Sequence, residues 1–268
     1  MNKISGEMVT SVVPRAVELE LGAYSLNRVP LPYWTLRRPS WPCDEHLLAD
    51  FDLLYDDAVR QGPAEPIDFR LEAPKAQFLC HLGDRGAVLL HGSGRDDIRE
   101  FEPRSSHDVV AFGAQRGVYA SSDGIWPLFF AVIDRDRYSG MLVNSCVLYG
   151  DPPTAGYFFS LERSQLASSP WRRGWVYLLP PETFVPETLR HDGSEPQHST
   201  QYCSPDPVVP LARIAVGPQD FPFLGRVVGH DHETVLQRAQ ADPEGFPWLD
   251  PPGPVTSGRQ AGPASGLT

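Results

Sequence analysis

The run VLLHGSG, residues 88 to 94, carries an apolar strand pattern into His91 and then breaks into Gly92, Ser93 and Gly94. An imidazole at a strand end offers a donor and an acceptor. Glycines beside it let another molecule approach the backbone closely and leave peptide groups free to bond it. A second run, GVYAS at 117 to 121, sets Tyr119 among small residues that leave room above its ring. In the segment that follows, DGIWPLFFAVIDR, Ile125, Leu128, Phe129 and Val132 share one helical face, Asp123 can cap the start, and Phe130 lies beside Phe129. A polar strand end, open backbone and aromatic rings suit a flat, polar, partly cationic ligand. The same residues also fit a structural role, with a satisfied histidine at a strand end and Tyr119 and Phe130 in the core.

The elements that must hold these residues are legible along the chain. CDEHLLADFDLLYDDAVRQG places Leu47, Leu48, Phe51, Leu54 and Val59 at near-helical spacing, with Asp44 as cap and Pro63 and Pro66 as stops. PKAQFLCHLGDRG predicts a shorter helix that opens after Pro74 and ends at Gly83 or Gly86. Short runs rich in β-branched and aromatic residues follow: AVLLHG, GVYASS, MLVNSCVLYG, GYFFSLE, WVYLLP and PLARIAVG. Helices first and strands after predict a single α+β domain. Residues 1–40 read as an irregular N-terminal segment, 41–240 as the domain, and 241–268 as a Pro/Gly-rich, disordered tail.

Composition bounds the function. Of 268 residues, 23 are Lys or Arg and 34 Asp or Glu, a formal net charge of −11, which argues against a broad nucleic-acid footprint. No stretch has the apolar length of a membrane span or signal peptide, so the sequence reads as soluble and cytoplasmic. Cys43, Cys80, Cys146 and Cys203 are dispersed without a CxxC pair, which predicts buried thiols and no metal cluster.

LLHGSG and GVYAS, followed by an aromatic helix, resemble the start of the poly(ADP-ribose) polymerase-type ADP-ribosyltransferases, the H-Y-E class. The resemblance covers residues 86–133 well and 170–222 loosely; YASSDGIWPLFFAV is, more narrowly, similar to a group of uncharacterised bacterial proteins. It implies a split-sheet body that uses NAD+ as substrate. His91 would bond the adenosine ribose, the Gly92 backbone would grip the nicotinamide amide, and Tyr119 and Phe130 would sandwich the ring. Phe130 stands 11 positions past Tyr119, as the family's second ring does. The family's serine on that helix is replaced by Pro127, a contact that Ser93 or Ser121 would have to supply. The family's glutamate falls on Gln201 within HSTQYCSPDP, and an amide neither accepts a proton nor holds negative charge. Such a departure goes with single ADP-ribose transfer to a protein or small-molecule acceptor, or with a non-catalytic NAD+/ADP-ribose binding module. A displaced acid among Glu182, Glu187 and Glu195 is the alternative, although PPETFVPETLRHDGSEPQ reads as a solvated loop.

The remaining signals are weaker. His230 and His232 in HDHE are two apart, a poor metal pattern on a helix and a better helix start. Arg104, Arg116, Arg172 and Arg173 have the guanidinium geometry for a diphosphate or serve as solvated charges. No Walker sequence, GxGxxG after a strand, or Ser-His-Asp order is present.

Overall fold

The computed structural model describes residues 34–105, 115–149, 153–189, 197–242 and 246–249. The described chain is α+β, and the strands form two sheets. The larger runs in the order β10 (Ala212–Val216), β7 (Gly174–Leu179), β2 (Leu89–Ser93), β4 (Arg116–Ser121), β9 (Gln197–Ser204) and β8 (Val185–Leu189), with β3 (Arg104–Ser105) also on β4. In the smaller, β6 (Thr154–Glu162) carries β5 (Leu142–Tyr149) on one edge and β1 (Leu36–Arg37) and β11 (Val228–His230) on the other.

Strand alternation sorts the side chains into layers. Leu90, Val176 and Leu178 of the larger sheet meet Tyr157, Phe159 and Leu161 of β6 in the main core. Their neighbours Leu89, Tyr177 and Leu179 face the other way, into a second cluster with Phe101 and Phe184. Helices α1 (Glu45–Gln61), α2 (Lys75–Asp84) and α3 (Trp126–Val132) add Phe51, Phe78 and Phe129 to the main core. Asp44 caps α1 by accepting from the Leu47 N–H, and α2 follows Pro74, with Gly86 in the left-handed region just past its end. His81 on α2 bonds Asp52 of α1 at 2.7 Å, which ties the two helices together.

Two segments and one cysteine differ from the sequence expectations. Leu36–Arg37, within the segment read as irregular, is a strand because β6 offers it an open edge. The region from 241 holds packed residues: Phe246 and Trp248 are buried against Phe158, Val235 and Trp34. Residues 1–33 and 250–268 lie outside the described residues. Of the four cysteines only three are buried; Cys43 is exposed. Among the described residues no helix is long and apolar enough to cross a membrane, and no group of three His, Cys, Asp or Glu could hold a metal ion.

HDHE belongs to two elements. His230 ends β11, and His232 opens α5 (His232–Ala241), whose cap is Asp231. His230 is 1% exposed, with Nδ1 2.7 Å from Ser160 Oγ and a buried Nε2 that has no partner. Burial holds its pKa down at about 4, against the pull of Glu162. A depressed folded-state pKa means that the stability is present above the ordinary value near 6.5 and is lost as pH falls through 4. Denaturant melts at pH 7 and 4.5 should therefore show a loss of about 2–3 kcal/mol from this residue. His230→Gln should remove that part of the acid sensitivity; an unchanged pH dependence would contradict the assignment.

Candidate functional site

The site residues are set by a break in the larger sheet. Strands β2 and β4 pair at Leu90 and Ser121, and the ladder stops there. The Ser122 N–H bonds the Thr200 carbonyl on the β9 side at 2.9 Å. The peptide groups of Ser121 therefore turn toward β2, and alternation turns those of Leu90 and Gly92 toward β4. The next rung would join Gly92 to Tyr119, and it is not formed. Gly92 thus points its amide and carbonyl into a split between two strands. On the other edge, β2 stays paired with β7 through Ser93 and Trp175.

His91 stands at the fork. Its Nδ1 lies 2.6 Å from the Tyr119 carbonyl, and its ring is tilted against Phe101 at 4.6 Å. A carbonyl only accepts, so Nδ1 carries the proton and Nε2 keeps its lone pair. Burial lowers the imidazole pKa, helped by the nearby Arg104 cation, although the Tyr119 carbonyl opposes the shift. The ring is therefore neutral at pH 7 and presents an acceptor. The histidine also satisfies the carbonyl that the broken ladder leaves over. His91→Ala should cost about 1–2 kcal/mol of stability in addition to any ligand affinity.

The other candidates on the sheet divide between its faces: Ser93 lies on that of His91, and the rest lie on the opposite one. Register pairs Leu90 with Ser121, Ser121 with Gln201, and Tyr119 with Cys203, so Tyr119, Ser121, Gln201 and Cys203 share the face of Leu90. Tyr119 is half-buried, and its hydroxyl donates to the Gln115 carbonyl at 2.8 Å, which fixes the ring. Gln201 is 6% exposed. Ser93 sits on the opposite face, where its Oγ accepts from the Arg95 N–H, and Ser121 Oγ accepts from the Asp123 N–H. Both candidate serines thus have local backbone partners.

Helix α3 closes the same face. A Cβ on Gly92 would lie 1.9 Å from the Pro127 carbonyl oxygen, and one on Gly174 would lie 1.9 Å from that of Ala131. The two glycines on neighbouring strands let the helix rest directly on the backbone. Phe129 points into the core against Phe159 and Phe221, whereas Phe130 is half-buried beside Trp126 and Phe129. Asp123 anchors the helix start: its Oδ1 accepts from the N–H groups of Ile125 and Trp126, and its Oδ2 from Tyr157 and Arg38.

The arginines are less uniform than their sequence suggests. Arg172 lies across Gly94, with Nη1 2.9 Å from Asp136 and 3.5 Å from Asp134, so its charge is largely met. Arg104, Arg116 and Arg173 are exposed. The run FEPRSSHD, residues 101 to 108, is described only as far as Ser105. A surface depression of about 320 Å³ is lined by Arg137, Gln165, Ser168 and Pro170, none of them a residue named by the resemblance.

Comparisons with protein families, with curated proteins and with solved structures found no match. The functional reading therefore rests on the residues and their arrangement.

One acidic residue was misplaced by sequence reasoning. The segment read as a solvated loop contains β8, and Glu187 on it is 5% exposed, its Oε2 buried without a partner. Burial raises its pKa, and a hydrogen bond with Ser199 partly offsets that. Glu182 is exposed as expected, and Glu195 lies outside the described residues. The pattern Val185, Glu187, Leu189 alternates as a strand does, but Pro186 masks it; proline is tolerated because β8 is an edge.

Proposed function

We propose that the chain is an NAD+-dependent mono-ADP-ribosyltransferase-like enzyme, which transfers ADP-ribose to a protein or small-molecule acceptor and releases nicotinamide. The observation that carries this reading is the split beside Gly92. A strand that turns an amide and a carbonyl toward a gap can match the paired acceptor and donor of a carboxamide. Tyr119 on the sheet and Phe130 on α3 supply aromatic faces near that backbone, and the neutral His91 offers an acceptor for a ribose hydroxyl.

In this reading the nicotinamide ring is held between Tyr119 and Phe130 by stacking and by the Gly92 backbone. The acceptor attacks C1 of the adjoining ribose, the C–N glycosidic bond breaks, and its electron pair goes to the ring nitrogen, which leaves neutral nicotinamide. Enclosure of the cationic ring, which departs neutral, and fixed orientation of the ribose supply the rate. Gln201 can bond a ribose hydroxyl as donor and acceptor. The net charge of −11 favours an acceptor other than nucleic acid, and a cytoplasmic location would give access to NAD+.

The amide at residue 201 favours a second reading, a non-catalytic NAD+/ADP-ribose binding module. Incubating the protein with NAD+ and following nicotinamide by chromatography separates the two. Steady release supports transfer or hydrolysis; saturable binding without release supports the module; neither would overturn both.

A further inference from the structure

The sheet places a buried carboxyl group one strand beyond Gln201. Strand β8 pairs with β9 at Val185 and Cys203 and at Pro186 and Tyr202, then resumes at Thr188 and His198. Glu187 sits in this register shift, opposite the stretch from Ser199 to Gln201. Bulges of this kind re-aim a side chain and are frequent beside active sites. Ser199 joins the two residues: its Oγ accepts from the Gln201 N–H at 2.9 Å and bonds the Glu187 carboxyl. The other carboxyl oxygen of Glu187, Oε2, is buried without any partner. A buried carboxylate oxygen left unbonded costs stability unless something outside the chain completes it.

Resting on the transferase reading, we propose that Glu187 is the proton acceptor of this site, the role that an amide at residue 201 is unable to fill. As the acceptor's O–H, N–H or S–H attacks the ribose C1, its proton passes to Glu187 Oε2. The glycosidic electron pair leaves with nicotinamide, so charge and atoms balance without a further reactant. Glu187 later returns the proton to solvent. The arrangement divides two tasks between neighbouring strands: Gln201 holds a ribose hydroxyl, and Glu187 takes the proton. Desolvation supports this use, because it brings a carboxylate closer to neutrality and makes it a better base. Among the described residues Glu187 forms no salt bridge; β9 alongside carries His198, at the register position opposite Thr188, Tyr202, and Cys203, whose thiol is pushed up by burial, and β4 beyond it carries Arg116 and Tyr119.

The test measures nicotinamide release and NAD+ binding from pH 4 to 9 for wild type, Glu187→Gln and Gln201→Glu. Glu187→Gln should keep NAD+ affinity within about threefold, lose tenfold or more in turnover, and lose the acidic limb of the pH profile. Its melting temperature at pH 8 should equal or exceed that of wild type, because a buried charge without a partner is removed. Gln201→Glu places a second carboxylate beside the first, so the acidic limb should move to higher pH and turnover at pH 7 should fall. If wild type releases nicotinamide and Glu187→Gln does so at an unchanged rate and with an unchanged pH profile, Glu187 is a structural residue and the proposal fails alone. If wild type binds no NAD+, the transferase reading fails and takes the proposal with it.

Discussion

Replacing Asp123 with alanine should destabilise the protein by about 3–5 kcal/mol, the cost of breaking a buried, hydrogen-bonded charge pair. The Asp123 side chain is fully buried, and four donors converge on it: the Ile125 and Trp126 N–H groups at 2.9 and 2.8 Å, and the Tyr157 hydroxyl and Arg38 Nη2, each at 2.7 Å. Arg38 keeps the contact of its Nη1 with both Asp84 oxygens, but that carboxylate is more than half exposed and compensates little. In a domain of this size the loss corresponds to a melting temperature roughly 10 °C lower. Asp123→Asn should cost less, since an amide oxygen can still cap the helix. Thermal melts by circular dichroism decide the matter. A shift under about 2 °C for the alanine variant would mean that α3 is not anchored as described.

Gly92→Ala and Gly174→Ala form the second test, because both glycines lie against α3 and only Gly92 faces the split. The added Cβ would sit 1.9 Å from a backbone carbonyl oxygen in each case, and a second backbone atom lies at 2.9 Å. Backbone on both sides leaves no flexible atom to yield, so strand and helix must part at a cost of about 1–3 kcal/mol. Similar drops in melting temperature, roughly 3–10 °C, are expected for both. NAD+ affinity should fall well beyond that of Gly174→Ala only in Gly92→Ala, where the binding backbone itself is displaced. Equal affinity losses would assign Gly92 to packing alone.

How far the sequence carries depends on where each element draws its stability. Helices α1 and α2 and strands β2, β4, β5, β6, β7 and β10 are legible because apolar periodicity, a cap or proline at the start and a glycine at the end agree locally. Asp123 was readable as a cap, but its bonds to Arg38 and Tyr157 join residues 85 and 34 positions away and leave no local trace. Strands β1 and β11, of two and three residues, exist because β6 has edges to fill. Strand β9 is polar in sequence, since Gln201 and Ser199 occupy positions that a core strand would give to valine. Phe246 and Trp248 are buried in spite of a Pro/Gly-rich setting, because Trp34 and Phe158 complete their pocket.

The candidate site divides in the same way. His91, Gly92, Tyr119 and Phe130 announce themselves by type and spacing, and the split in the sheet explains why a histidine ends a buried strand: its Nδ1 serves the carbonyl that the missing rung leaves over. Glu187 does not announce itself, since its burial depends on a bulge between two strands that the sequence presents as loop.

Calorimetric titration of NAD+ into wild type and Tyr119→Ala is the most direct test of the split as a nicotinamide site. Wild type should bind at a single site, and loss of the aromatic face should weaken binding by about tenfold, the equivalent of roughly 1.4 kcal/mol. Tyr119→Phe should stay within a few-fold of wild type, because the hydroxyl serves the Gln115 carbonyl and the ring face remains. No binding by wild type, or equal affinity for wild type and a folded Tyr119→Ala, would contradict the account.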